Sequence, residues 1–190
     1  MSSPVPASRP RTVTEWREFL GDYSSKALEL VDSSPYLSAR LSRTQRESGW
    51  LGYEPAGPRA VADAEERLGV RLPPSYRNFL LTSNGWADIG LLELLAVDEI
   101  GWFRDMTDLL DYWSSPGTGY FAEHLEKFER CLLISRDDGG AGGCWVLHAD
   151  SAGEDGEWVG YEWWPGGGTG PQPGGTFTDM VVSSARVLRS

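Results

Sequence analysis

The most informative part of the chain is the segment AEERLGVRLPPSYRNFLLTSNGW, residues 64–86. Apolar residues at helical spacing run up to Gly69, where a left-handed C-cap favours glycine. Pro74 suits the first turn of a second helix, because its missing N–H would have no partner there. Asn84 and Gly85 tolerate positive φ and close that helix. The segment therefore predicts two helices separated by a short extended turn and followed by a tight stop.

Upstream of this segment, Thr12 and Glu15 match a capping box, in which each side chain satisfies a backbone N–H at a helix start. Apolar residues then recur at helical spacing to about Val31, and residues 36–46 favour a second, weaker helix. Downstream, the pattern becomes strand-like at 91–99, 100–103, 131–135, 144–148 and 157–164, with short helices at 108–113 and 121–128, a Gly/Pro loop at 166–175 and a last helix at 176–188. This order predicts an α+β fold, a mostly antiparallel sheet flanked by helices.

The chain resembles the SUKH superfamily, which includes bacterial immunity proteins and a fungal regulator of cell-wall synthesis. The resemblance is carried by the motif residues Glu65, Gly69, Leu72, Pro73, Tyr76, Phe79, Leu80, Asn84 and Gly85, and by the stretches 48–53, 100–105 and 156–164. It implies an α+β fold and protein binding as the usual activity, with no shared catalytic constellation. The expected division is a disordered tail at 1–11, an N-terminal helical extension at 12–57 and a SUKH-like domain at 58–190.

The motif residues themselves have structural explanations. Glu65 is predicted to brace the following loop by accepting backbone N–H bonds. Gly69, Pro73, Asn84 and Gly85 shape turns, and no chemistry is expected of them.

The charge of the chain limits its partners. It has 28 Asp and Glu against 17 Lys and Arg, a net charge of -11. Phosphate binding depends on clustered cations, so this balance argues against nucleic acid and against an anionic membrane surface. A basic protein partner fits this negative charge better, because complementary fields speed encounter.

The chain has two cysteines, no signal-peptide pattern and no long apolar run. These features predict a cytoplasmic location.

Catalytic and metal chemistry are weakly supported. Cys144 and His148 recur on one side of a predicted strand, which core residues also do. The Cys and His residues lack zinc-ligand spacing, and Asp137 and Asp138 precede glycines as in a hairpin turn, without the distal Glu of a calcium loop. We therefore expect no enzyme activity, no cofactor and no metal.

What remains is binding. The chain has nine tryptophans, and tryptophan is enriched at the centres of interfaces. An aromatic patch with an acidic rim is predicted to contact the partner, from Trp86, Asp88, Trp102, Phe103, Asp105, Asp137, Asp138, Trp145, Glu154, Asp155 and Glu157.

Together these features predict a non-catalytic bacterial immunity protein that neutralises a polymorphic toxin, such as a nuclease, by binding a basic toxin domain. The alternative hypothesis is a regulatory adaptor in cell-envelope or stress signalling. The sequence leaves the oligomeric state open.

Overall fold

The fold is that of a computed structural model, which describes residues 9–106, 122–137, 143–164 and 170–187. Within these ranges the chain forms eight α-helices. They are α1 (Val13–Leu30), α2 (Pro35–Arg40), α3 (Arg43–Ser48), α4 (Pro58–Leu68), α5 (Pro74–Leu80), α6 (Phe103–Met106), α7 (Ala122–Glu129) and α8 (Phe177–Val187).

Two antiparallel sheets lie among these helices in the described part of the chain. The first has the order β1-β2-β5, with β1 (Trp86–Ile89), β2 (Leu92–Leu94) and β5 (Ser135–Asp137). The second has the order β3-β4-β6-β7-β8, with β3 (Gly101–Trp102), β4 (Cys131–Leu133), β6 (Cys144–His148), β7 (Val159–Trp163) and β8 (Gln172–Gly175). The predicted α+β fold with an antiparallel arrangement and N-terminal helices is confirmed.

The first helix belongs to the main hydrophobic core. The predicted capping box of Thr12 and Glu15 starts it. Trp16 is fully buried, and its ring centroid lies 5.6 Å from those of both Phe79 on α5 and Phe177 on α8. These three rings pack together although they are far apart in the sequence, so α1, α5 and α8 share one hydrophobic core.

The motif segment forms the two predicted helices, although α5 ends at Leu80, before the predicted stop at Asn84 and Gly85. Gly69 caps α4 in the left-handed conformation at φ 68°. Glu65 accepts a hydrogen bond from the Leu72 N–H at 3.0 Å, which is the predicted bracing contact. The side-chain oxygen of Asn84 accepts the Val97 N–H at 2.8 Å and ties the end of α5 to the turn after β2.

Three details of the fold differ from the sequence prediction. Residues 91–99 do not form one strand, because the chain reverses at Gly90 and Leu91 and only Leu92–Leu94 pairs with β1. Residues 36–46 form two short helices, since Ser42 is the N-cap of a new one. The predicted Gly/Pro loop contains β8 at its end, and that edge strand tolerates Pro173 because an edge position can leave one N–H unused. The predicted helix at 108–113 lies outside the described residues.

The two sheets are joined through Ile134. β4 pairs with β6 in one sheet, and β5 pairs with β2 in the other, so the chain changes sheets between Leu133 and Ser135. Ile134 donates its N–H to the Trp145 carbonyl at 3.1 Å, and its own carbonyl accepts the Leu95 N–H at 2.9 Å. One buried residue thus bonds to both sheets.

Candidate functional site

A largely apolar cleft of about 640 Å³ lies where the end of α1, α2, the β1–β2 hairpin, α8 and the end of β7 meet. Leu37 and Asp88 are buried within it, whereas Leu30 and Leu91 are exposed at its rim. Concave, mostly apolar surfaces with a few fixed polar groups are typical binding sites. This cleft is therefore the candidate site, and we call it the hairpin cleft.

A polar network fixes the wall that α2 contributes to the cleft. The Tyr36 hydroxyl donates to the Asp88 carboxylate at 3.0 Å, and Arg40 lies 3.5 Å from the same carboxylate oxygen. Arg40 also donates to the Tyr36 hydroxyl oxygen at 2.7 Å and to the Ala87 carbonyl at 3.2 Å. A buried ion pair with several hydrogen bonds contributes more to a defined geometry than to net stability. The network holds α2 against β1.

The hairpin tip presents an exposed leucine in a strained backbone conformation. Ile89 pairs with Leu92, so Gly90 and Leu91 form a two-residue turn with φ values of 57° and 69°. Such a turn needs positive φ at both central residues, which glycine or asparagine normally supplies. Among the described residues Leu91 is the one non-glycine with positive φ, and it is 55% exposed. Its apolar side chain therefore stands at the rim at a conformational cost.

The lining of the cleft also contains Glu162 and Trp164, both half-buried. The Trp164 indole N–H donates to a Glu162 carboxylate oxygen at 2.6 Å. Of the described residues lining the cleft, two are acidic and none is Lys, Arg or His. The mouth of the cleft thus combines an apolar surface with a carboxylate.

Three aromatic residues of the predicted partner patch lie in the interior. Trp86 and Trp145 have no exposed area and Phe103 is 1% exposed. Trp86 packs edge-on against Tyr23 and Trp50, and Phe103 packs against Phe128 in a smaller second core. Because these side chains form the core, we expect no partner contact at them.

The remaining members of the predicted patch are dispersed. Asp88 is buried in the α2 network, and Glu157 accepts hydrogen bonds from the Ser75 N–H at 2.8 Å and hydroxyl at 2.6 Å. Glu157 thus caps α5, whose N-cap is a proline without an acceptor side chain. Exposed Glu154 and Asp155 lie in the loop beside it, and a partner contact there stays a prediction.

Trp102 and Asp105 lie at the edge of the five-stranded sheet, away from that loop in sequence. Half-buried Trp102 has the Arg130 guanidinium 4.9 Å from its ring centroid, and Arg104 is 3.6 Å from Asp105. Asp137 ends β5 in register with Leu92, next to the hairpin tip, and Asp138 lies outside the described residues. The acidic groups thus form no single rim in the described structure.

Cysteine and histidine do not form the pair considered from the sequence. Cys144 and His148 are at opposite ends of β6, and the register places Cys131, not Cys144, opposite His148. Burial raises the pKa of the Cys131 thiol to about 12, and this thiol donates to the Lys127 carbonyl at 3.3 Å. Burial also lowers the pKa of His148. A protonated thiol is a poor nucleophile, so the Cys131 thiol beside His148 gives no support to nucleophilic catalysis.

In the part of the chain that the structure describes, no three His, Cys, Asp or Glu side chains are grouped as metal ligands would be. Over the same residues, no helix has both the length and the apolar character needed to cross a membrane.

Comparison with known proteins identifies the family. Residues 55–182 match the model of the SMI1 / KNR4 family (SUKH-1), and the chain belongs to this family. It is also similar to the uncharacterized protein YnaB of Bacillus subtilis (strain 168), with 34% identity over 55 residues. That alignment covers 29% of this chain and 38% of the Bacillus protein. The predicted SUKH resemblance is confirmed.

Sequence reasoning missed Leu91, Glu162 and Trp164 as members of one site. The available signal for the hairpin was Gly90, an isolated glycine inside an apolar run, which often marks a break in a strand. No local pattern indicates that the end of β7 and this turn line one cleft, because their residues are about seventy positions apart in the sequence.

Proposed function

We propose that this chain is a non-catalytic protein-binding module that acts as an immunity protein and neutralises a polymorphic toxin, with nucleases among the candidate targets. The observation that carries the proposal is the hairpin cleft on a protein of net charge -11. Its described lining is mostly apolar, contains Glu162 and the Arg40-paired Asp88, and contains no Lys, Arg or His. Membership of the SUKH-1 family supports protein binding. The proposed location is the cytoplasm, where a toxin would be met before or after its delivery.

The charge of the protein favours a basic partner. Opposite net charges accelerate association, and salt weakens this effect because it screens the charges. Blocking a toxin by occupying its surface needs no reacting group in the inhibitor.

The test uses tagged full-length protein as bait in host lysate and culture fraction, at about 0.05 M and 0.5 M salt. Captured proteins are identified by mass spectrometry and expressed alone in a susceptible strain. We expect a basic protein that arrests growth, and we expect co-expression of this chain to restore growth. The bound amount should fall at the higher salt.

A double substitution, Glu154→Gln with Asp155→Asn, tests whether the exposed acidic loop contributes. The matched control is Asp63→Asn with Glu66→Gln on α4, which removes the same charge from another exposed surface. If the loop variant captures less of the partner protein while the control variant captures the normal amount, the contact lies at the loop. Recovery of only envelope or signalling proteins, independent of salt, would reject the immunity role and favour a regulatory adaptor.

A further inference from the structure

Leu91 has no evident structural reason to be a leucine. A side chain at positive φ costs about 1–2 kcal/mol relative to the ordinary helical conformation, and glycine avoids this cost. With 55% of its surface exposed, Leu91 also gains less from burial than a core leucine does. Its neighbour Gly90 is needed as glycine, since an added Cβ would lie 2.9 Å from the Ser184 hydroxyl oxygen. The leucine thus gives the rim an apolar side chain at a position where the backbone conformation favours glycine.

Glu162 gives the same rim a carboxylate that has no cationic partner among the described residues. One of its oxygens accepts the Trp164 indole N–H, and none of the ion pairs among the described residues includes it. Covering a half-buried carboxylate with an apolar surface alone removes its water and is unfavourable. A partner that supplies a Lys or Arg side chain compensates this loss.

From these two observations we propose that the hairpin cleft binds a protruding segment of the partner protein in which an apolar side chain stands next to a Lys or Arg. The apolar side chain packs between Leu91 and Leu30, and the cation contacts Glu162 beside the face of Trp164. This inference rests on the proposed function, because it names the surface and the partner chemistry of that same binding activity.

The experiment titrates ¹⁵N-labelled full-length protein with three small probes: N-acetyl-Trp-Arg-amide, N-acetyl-Trp-Glu-amide and N-acetyl-Gly-Arg-amide. The readouts are the NMR shifts of the Trp164 indole N–H and the Ser184 amide, which both report on the cleft. We expect the Trp-Arg probe to bind about fivefold tighter than the Trp-Glu probe. The Gly-Arg probe should give no saturable shift, since it lacks the apolar group.

Two variants separate the contributions of the Leu91 side chain and the Glu162 carboxylate to probe binding. A third variant tests whether any exposed apolar residue would have the same effect. Leu91→Gly should abolish the saturable shift while the protein keeps its fold. Glu162→Gln should keep the binding location and remove the difference between the Trp-Arg and Trp-Glu probes. Met106→Gln, which replaces an exposed apolar residue on α6, should leave every titration unchanged.

Equal affinity of the Trp-Arg and Trp-Glu probes, or shifts confined to residues outside the cleft, would overturn the inference. Such a result, together with retained toxin neutralisation, would place the interface elsewhere and leave the proposed function intact. Specific Trp-Arg binding without any toxin in the capture experiment would instead keep the cleft chemistry and reject the immunity role.

Discussion

The Leu91 side chain illustrates a conflict between conformational preference and exposure at a single residue. Its φ of 69° favours glycine or asparagine, and its position at the cleft rim leaves it 55% exposed. Leu37 lines the same cleft and is 4% exposed in ordinary helical conformation on α2. Two leucines that line the same cleft thus differ in what they contribute to stability.

Leu91→Asn is expected to change the melting temperature by less than about 4 °C, because relief of backbone strain offsets the small loss of apolar contact. Leu37→Ala should lower the free energy of unfolding by about 2–5 kcal/mol through a buried cavity. Thermal and denaturant unfolding followed by circular dichroism measure both. If Leu91→Asn were as destabilising as Leu37→Ala, the leucine would have a structural role and the argument from strain would fail.

At the scale of one element, α5 depends on a side chain from a remote loop. Its N-cap Pro73 has no side-chain acceptor, and the carboxylate of Glu157 accepts hydrogen bonds from both the N–H and the hydroxyl of Ser75. Negative charge at a helix N-terminus is also favoured by the helix dipole. The loop at 152–157 is therefore part of the support of the motif segment.

We predict that Glu157→Ala lowers the free energy of unfolding by about 2 kcal/mol, since it leaves the Ser75 N–H without its acceptor. Glu154→Ala, an exposed carboxylate in the same loop, should change it by less than about 0.5 kcal/mol. Urea unfolding of the two variants gives the comparison. Equal effects would mean that the capping contact contributes nothing specific.

The capping box of α1 predicts a pH dependence. Hydrogen bonds from the backbone N–H groups of Thr12 and Arg11 hold the pKa of Glu15 below its usual value of 4.5. A lowered folded pKa means that the stabilisation is present above the unfolded value and is lost as the pH falls through the folded value. Glu15→Gln should therefore be less stable than the parent near neutral pH and equal to it near about pH 2.

The pH series measures melting temperature from about pH 2 to pH 7, with Glu18→Gln on the exposed face of α1 as the control. The control should follow the parent at every pH. A Glu15→Gln variant whose deficit persisted at the acid end would show that its loss is not electrostatic.

These elements also show what sequence can predict. The starts of α1 and α5 and the end of α4 follow from capping and from glycine or proline preferences, which act over a few residues. The end of α5 at Leu80 does not follow from them, because the predicted stop was Asn84 and Gly85. The hairpin at Gly90 was not predicted, because Leu91 is not a residue that turns with positive φ usually contain. The division of the strands between two sheets was not predicted either, because strand pairing depends on residues far apart in the sequence. The tryptophan count indicated binding, yet Trp86 and Trp145 are buried, because composition carries no information on which face of a strand a residue occupies.

For the whole molecule, residues of the predicted N-terminal helical extension at 12–57 share one hydrophobic core with the SUKH-like domain, and the division at 57/58 stays a prediction. Trp16 on α1 contacts Phe79 and Phe177, and Leu51 is also fully buried. The Leu51 N–H donates to the Ser24 hydroxyl and its carbonyl accepts the Ala87 N–H, which links α1 to β1. The family match begins at residue 55, but the core extends further towards the N-terminus.

We therefore expect a fragment comprising residues 55–190 to lack cooperative unfolding and to bind a hydrophobic dye, because removal of α1 exposes Phe79 and Phe177. In the full chain, Trp16→Ala should cost about 3–5 kcal/mol. Near-ultraviolet circular dichroism and thermal scans test both. A fragment with native spectra and a sharp transition would support the division at 57/58 predicted from the sequence.

The sheet change at Ile134 has a consequence for how the protein responds to load. Since this residue bonds to Trp145 on one side and Leu95 on the other, the two sheets cannot separate here without breaking at least one of these bonds. Tension applied at the hairpin by a tightly held partner would pass through β2 and β5 into the five-stranded sheet. Under a pulling force the two sheets should therefore unfold together, because Ile134 connects them.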